Sequence, residues 1–321
     1  MLDLSIVIVS WNVKDLLRQC LRSVISSQNS VVRQSRDLTT DYWLLTTEII
    51  VVDNGSTDGS AAMVREEFPQ VRLMANEANV GFTKANNQAL AQCRGRTLLL
   101  LNPDTEVRPG ALEAMVAYMD EHPEVGALGP QLLNPDGSVQ SSRRRFPTLT
   151  TAFLESTVLQ LWFPDNAVLR RYYVLDRPDD EVQEVDWVVG AAILIRREAW
   201  DQVGPLDEGF FMYSEELDWC RRARERGWRV VYLPAAQVVH YGAQSSEQVK
   251  PLQHIHFQRS KVRYFRKHHG PWQAEALRLF LLATYAYQLI EEGLKWLVGH
   301  KRPLRAARVK AYWQVLKSKL V

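Results

Sequence analysis

Four apolar runs, each stopped by a polar residue or a turn, constrain this chain more than any other feature. Leu4-Ser5-Ile6-Val7-Ile8-Val9 ends at Ser10, Glu48-Ile49-Ile50-Val51-Val52 ends at Asp53, Val71 to Ala75 is short, and Thr97 to Leu101 ends at Asn102. Helical spacing fills the intervals: Leu16, Leu17, Cys20, Leu21 and Val24 follow the first run, and Phe82 to Cys93 precedes the fourth. Strands alternating with helices predict an α/β, Rossmann-like fold, a mostly parallel sheet flanked by helices. Val125–Gly129 is a fifth strand, after a helix with Pro109 in its first turn. Ligands of such sheets sit at the carboxyl ends of the strands. Ser10, Asp53 and the residues after Leu101 are therefore the first candidates.

The second half reads differently. Val185 to Arg196 is strand material broken at Gly190, Glu215 to Arg226 is a helix, and Arg229–Tyr232 and Gln237–His240 are strands. From about residue 251 the pattern is helical, with breaks at Pro271 and Pro303. The expected division is a catalytic domain over 1–250, with a nucleotide-binding half to about 130 and an acceptor half over 131–250. A basic, aromatic helical tail covers 251–321. Charge supports the tail as a separate region. Residues 250–321 hold 15 Lys and Arg against 3 Asp and Glu, whereas 1–249 hold 24 against 34. A basic appendage on an acidic body points to an anionic partner: a lipid surface, a nucleic acid or a phosphorylated substrate. Its basic and aromatic helix faces suit an anionic membrane surface, or a helical pair packed on the catalytic domain or on another subunit. No nucleic acid is expected. No uncharged apolar run approaches the ~18–20 residues of a spanning helix. Cys20, Cys93 and Cys220 are far apart and read as free thiols. The N-terminus lacks a signal-like pattern, so the expected location is cytoplasmic, including the inner face of the membrane.

Four constellations carry chemistry. Asp53 in Val52-Asp53-Asn54-Gly55 can accept the imide N–H of uracil or thymine, or ribose hydroxyls, although Asp-Asn-Gly also makes turns without any ligand. Asn102-Pro103-Asp104 places a carboxylate at a strand end, where it can hold a divalent cation against a departing diphosphate or simply cap a turn. In Glu215-Glu216-Leu217-Asp218, with Ser214 as N-cap, Glu215 and Glu216 fall in the first helical turn and Asp218 lies near it. They can complement the helix dipole, or one can be a general base whose pKa is raised by the preceding aromatic run. His240, ahead of Gly242, can ligate a metal or touch a diphosphate, or serve as a structural hydrogen-bonder. Arg143, Arg144 and Arg145 are candidate phosphate clamps or a solvated basic loop.

Taken in order, Ser5–Asn12, Val52–Gly59, Asn79-Val80-Gly81-Phe82 with Asn86-Asn87, Leu101–Asp104, Trp187–Ala191, Glu215-Glu216-x-Asp218 and His240-x-Gly242 resemble family 2 inverting glycosyltransferases of the GT-A fold. The closer likeness is to the rhamnosyltransferase-like members that build surface polysaccharides. The resemblance spans about Leu4 to Ser246. It implies transfer of a sugar from a dTDP- or UDP-linked donor to a hydroxyl of a glycan or lipid-diphosphate-linked acceptor, by one in-line displacement with Mg2+ or Mn2+. It further implies that Ser10, Asn12, Asp53, Asn86 and Asn102 serve the nucleotide donor. Asp104 and His240 would hold the metal, Glu216 would be the base with Glu215 and Asp218 beside it, and Trp187 and Gly190 would shape the pocket near Arg144.

Four departures stand out, one of them Ala85 where Gly is common after Gly81-Phe82. Asn102 leaves one carboxylate in the metal turn. Glu216 stands where Asp is usual, which keeps Asp218 a rival base. The link Gln28–Thr47 is long for this position. Two other functions share parts of the pattern. A sugar nucleotidyltransferase would carry a Gly-rich basic loop after the first strand, where this chain has Ser10-Trp11-Asn12. A non-catalytic nucleotide-sugar binder would have no use for the acidic group at 215–218.

Overall fold

A computed structural model describes residues 2–34, 45–242, 250–299 and 301–321. The chain forms two compact units. The first comprises Met1–Arg145, Arg177–Gly209 and Glu215–Ser245 and contains the sheet. β1 (Leu2–Ser10), β2 (Thr47–Asp53), β3 (Arg72–Ala75) and β4 (Gly95–Leu101) lie parallel in the order β3-β2-β1-β4. Leu4, Ile6, Val7, Ile8, Ile50, Val51 and Val52 are all fully buried, because helices cover both faces of these strands. Each such side chain contributes roughly 1.5–3 kcal/mol on leaving water. α1 (Lys14–Gln34), α2 (Ser60–Glu67) and α3 (Phe82–Leu90) make the crossovers. Residues Gln28–Gln34 continue α1; 35–44, the remainder of the long link bar its last three residues, lie outside the described residues.

Beyond β4 the sheet continues β11-β6-β12-β5, from β5 (Thr105–Val107), β6 (Val125–Leu133), β11 (Ala192–Arg196) and β12 (Arg229–His240). β11 runs antiparallel between β4 and β6, while β12 is parallel to β6 and antiparallel to β5. α4 (Ala111–Glu121) starts later than expected: Pro109 lies before its N-cap, Gly110, and not in the first turn. The two strands expected at 229–232 and 237–240 are one strand with a register irregularity between Leu233 and Gln237. Pro234 lies in that gap, where its missing N–H would otherwise break the ladder. β7 (Val139–Gln140) pairs with β6, and β9 (Gln183–Val185) with β12. β8 (Arg143–Arg144) and β10 (Trp187–Val188) form a small antiparallel sheet of their own. α8 (Arg197–Val203) and α9 (Glu215–Glu225) complete the unit.

The second unit comprises Phe146–Asp176, Phe210–Ser214 and Ser246–Val321. Its long helices are α10 (Lys250–His269), α11 (Pro271–Leu297) and α12 (Arg302–Ser318), with Pro271 and Pro303 in the first turns of the last two. The short α5 (Leu149–Leu154), α6 (Val158–Trp162) and α7 (Ala167–Tyr172) belong with them. Phe153 packs on Phe280, which fastens α5 to α11. Lys261 is held against Glu155 at 2.8 Å, and its ammonium lies over the Phe257 ring.

Candidate active site

The carboxyl ends of β1 and β2 form the first wall. Ser10 and Asp53 are register partners and both are buried. Asp53 Oδ2 accepts the Ser56 N–H at 3.1 Å, while Asp53 Oδ1 and Ser10 Oγ are buried with no partner. Two such polar atoms side by side at a strand end are costly unless a ligand satisfies them. Asn12, at φ 53, has a different task. Its N–H donates to Ser56 Oγ at 3.0 Å and its Oδ1 accepts the Thr57 N–H at 2.7 Å, so it ties the β1 turn to the β2 turn.

Asn54 completes that frame. Its amide donates to Asn79 Oδ1 and the Gly81 carbonyl and accepts from Asn76 Nδ2 and the Val80 N–H. Gly55, at φ 78, lets the Ala78 backbone approach so closely that a Cβ would sit 2.8 Å from it. Asn86 is buried on α3 and donates to the Phe82 carbonyl one turn back. Its neighbour Asn87 makes a two-way pair with the Leu206 backbone.

The turn after β4 forms the second wall. The Asn102 N–H donates to the Ala191 carbonyl at 2.9 Å, and the Asn102 carbonyl accepts from Thr105 Oγ1. Asp104 is buried, and the β5–β12 ladder brings His240 to it through the His240–Thr105 register. His240 Nε2 lies 3.5 Å from Asp104 Oδ1. The other ring nitrogen, Nδ1, lies 2.7 Å from Gln140 Oε1. Gln140 Nε2 donates to Asn134 Oδ1, and Asn134 Nδ2 to Ser138 Oγ, which orients both amides. Gln140 Oε1 is thus an acceptor, so Nδ1 bears a proton. In the neutral imidazole Nε2 then presents a lone pair, and it is a buried atom with no hydrogen-bond partner.

A lone pair and a carboxylate oxygen at this separation suit a divalent cation between them. Among the described residues no group of three or more His, Cys, Asp or Glu could hold a metal. One carboxylate with most positions left to phosphate oxygens and water is the usual manner for Mg2+ in nucleotide sites, and Asp104 supplies it. The residues therefore fit the ion.

The third wall is the start of α9. Tyr213 and Ser214, at φ 69 and 65, precede it; the left-handed Ser214 differs from the extended backbone expected of an N-cap. Phe210–Ser214 is grouped with the second unit, where Phe211 stacks on His256 and Tyr213 meets Phe257 edge-on. The three carboxylates that follow are not equivalent. Asp218 is fully buried and bound by Arg222 Nε at 2.9 Å, whose other nitrogens donate to the Val203 and Pro205 carbonyls. Glu216 Oε1 accepts the Gly190 N–H at 3.3 Å, and Glu216 Oε2 is buried with no partner. Gly190 has no Cβ to collide with this carboxylate; one would lie 3.3 Å from Cδ. Burial pushes the Glu216 pKa up, opposed by nearby backbone N–H groups and the charge of Arg144. Glu215 is pushed well above the usual range by burial and then by the charge of Glu216.

The second and third walls meet. Ala191 holds the Asn102 turn, and the adjacent Gly190 holds Glu216. The β8–β10 ribbon adds Arg144, opposite Trp187 in register, with its guanidinium 6.0 Å over the indole. Arg143 is buried instead, donating to the Pro178 carbonyl and lying over Tyr232. The three cysteines are free thiols, and burial pushes Cys20 and Cys220 up to about 12. Cys20 and Cys220 are therefore inert packing groups.

The sequence model described as Glycosyl transferase family 2 matches residues 5–200. The chain belongs to that family. A curated relative, the N-acetylglucosaminyl-diphospho-decaprenol L-rhamnosyltransferase of Mycobacterium tuberculosis, is 33% identical over 263 residues, covering 77% of this chain and 84% of that one. Rhamnosyltransferase WbbL of Escherichia coli K12 is 28% identical over 172 residues, covering 50% and 61%. Among solved structures, a mannosyltransferase from Pyrobaculum calidifontis in complex with GDP-Man and Mn2+ has the same fold at a TM-score of 0.54 and 15% identity, covering 100% of this chain and 89% of that one. GalNAc-T7, solved with UDP, GalNAc and Mn2+, matches at 0.52 and 16% identity over 75% and 43%. The GT-A fold and a glycosyltransferase activity follow, and the nucleotidyltransferase alternative gives way.

The residues that family-pattern reasoning missed are supports: Gln140, Asn54, Asn87 and Arg222. Asn54 and Asn87 stood inside quoted motifs without a role, and Arg222 had a local signal in its i,i+4 spacing from Asp218.

Proposed function

We propose that the chain transfers a rhamnosyl group, with inversion, from a dTDP- or UDP-linked donor to a hydroxyl of a lipid-diphosphate-linked glycan, in cell-surface polysaccharide synthesis. One observation carries this reading: Glu216, whose Oε2 is buried without a partner, is tied through its Oε1 to Gly190, and the adjacent Ala191 holds the turn that bears Asp104. Base and leaving-group site are thereby held to one short segment.

The acceptor oxygen bonds to the anomeric carbon, and its proton passes to Glu216 Oε2. The bond from that carbon to the phosphate oxygen breaks, and the nucleoside diphosphate leaves with the electron pair. Ser10 and Asp53 face the nucleoside, and Arg144 and Trp187 border the sugar and acceptor. Asp104 and His240 would hold Mg2+ or Mn2+, which when bound neutralises charge on the diphosphate. Asp218 is set aside as the base, since Arg222 already takes its charge. The reading extends to the setting: the protein works on the cytoplasmic side as a peripheral protein, with 251–321 toward an anionic membrane surface.

A donor screen of dTDP- and UDP-sugars with a lipid-diphosphate acceptor tests this, reading released nucleoside diphosphate with and without chelator. Release with dTDP- or UDP-rhamnose that stops in EDTA is expected. Donor binding without release under any condition would leave only a nucleotide-sugar binder.

A further inference from the structure

α11 is amphipathic in an unusual sense, because its outward stripe is apolar. Trp272, Leu279, Tyr287, Ile290, Leu294 and Leu297 recur at helical spacing, and all are exposed, Trp272 by 88%. The stripe positions between them, Ala276 and Ala283, are exposed too. No charged side chain interrupts a line about 40 Å long at 1.5 Å per residue. A helix on a water-facing surface normally turns charged residues outward. The inward side is the polar-satisfied one: buried Glu292 binds Arg305 at 2.7 Å and Arg308 at 3.3 Å. A second element widens the patch. Trp162 meets Tyr287 edge-on at 5.8 Å, which sets the exposed Leu161, Trp162 and Phe163 corner of α6 beside the stripe.

We propose that this face, the α11 stripe with the Leu161–Phe163 corner, beds into the headgroup and upper acyl region of an anionic lipid bilayer. It deepens the peripheral-membrane reading above and rests on it, but not on the identity of the sugar. Three features select this occupant. Residues 250–321 carry 15 Lys and Arg against 3 Asp and Glu, which attracts anionic headgroups and repels a second copy presenting the same face. Trp162, Trp272, Trp296 and Trp313 are exposed, the residue type that favours the membrane interface. Arg302 lies over Trp296 at 5.8 Å and Lys317 over Trp313 at 5.6 Å, pairs in which ring and cation share the headgroup level. The face is one-sided, and among the described residues no helix is long and apolar enough to cross a membrane. The helix therefore lies in the plane of the surface.

Flotation of the full chain with vesicles of phosphatidylcholine mixed with phosphatidylglycerol tests this, with brominated acyl chains as a quencher of tryptophan emission. Binding with quenching is expected, weaker on pure phosphatidylcholine. The double variant Ile290→Glu with Leu294→Glu should lower vesicle partition about tenfold or more. Its thermal unfolding and donor binding should match the parent, since both side chains already face water. Unchanged flotation of the variant overturns the proposal. So does a parent dimer that the variant splits in light scattering while flotation stays the same, which would assign the face to a second copy. Transfer to a water-soluble acceptor, measured without vesicles, separates the two readings: its absence in the parent fails the enzymatic reading and leaves the flotation result standing.

Discussion

The turn after β2 and the first turn of α9 both bury several polar side chains at the edge of one sheet, yet they differ in how those groups are satisfied. Asn54 uses both ends of its amide on Asn76, Asn79, Val80 and Gly81. Glu215 and Glu216 each retain a buried oxygen with no partner. A closed network rigidifies, whereas an open one is poised for a ligand or a proton. The contrast repeats within α9 itself, where Asp218 is closed by Arg222 and Glu216 two residues earlier is open.

The sharpest way to break this contrast is to neutralise the two carboxylates separately. Glu216→Gln should leave folding and donor binding intact and lower transfer by about 10²–10⁴-fold, the usual range for a general base. Asp218→Ala should do the reverse. It leaves a mostly buried Arg222 without its counter-charge, a loss of roughly 3–5 kcal/mol of stability, while transfer per folded molecule stays close to the parent. Denaturant unfolding and single-turnover rates on both variants read the two effects. A Glu216→Gln variant with full activity would remove the base assignment, and an equal stability loss in both would remove the distinction between open and closed.

Gln140 gives the next effect in size. It acts through His240: its Oε1 engages Nδ1 and so leaves Nε2 to face Asp104. Gln140→Leu should weaken Mn2+ binding in the presence of nucleoside diphosphate by about 10–100-fold, as loss of such outer partners does elsewhere. Electron paramagnetic resonance of free Mn2+ measures this, and the nitrogen shifts of His240 report the tautomer. Unchanged shifts together with unchanged affinity would make Gln140 part of the ordinary framework.

Much of the β1–β4 half was legible in the sequence because its cause is local. Strands buried on both faces read as unbroken Val, Ile and Leu, and Ser10, Asp53 and Asn102 stand where those runs stop. The antiparallel insertion of β11 between β4 and β6 was not legible, since a run such as Ala192–Arg196 carries no mark of its direction. Gln140 was hidden for a related reason: its value comes from the Leu132–Gln140 register of a hairpin, not from its neighbours in sequence. Acidic residues at 215, 216 and 218 were visible as a group, but their separate fates depend on what each meets in space. The tail was legible as basic and helical. Its outward apolar stripe required knowing which side of α11 the other helices cover, and α5 to α7 are too short to show a period at all.

Glu215 offers the smallest effect and the finest test of the open turn. Burial and the neighbouring Glu216 hold its pKa well above the usual glutamate range of about 4.3. In the unfolded chain it ionises normally. A carboxyl raised in the folded state adds stability fully below its unfolded pKa, and that stability is lost as pH rises through the folded value. Glu215→Gln removes the titration while keeping shape. It gives up no helix-dipole attraction wherever the folded carboxyl is already protonated. The variant should therefore unfold about 1 kcal/mol later than the parent at pH 8, an ordinary size for one substitution, and match it near pH 4. Denaturant midpoints across that range decide the matter. A gain that instead grew toward low pH would mean that Glu215 is ionised and paired in the folded enzyme, which would close the turn at that position and leave Glu216 as its open carboxylate.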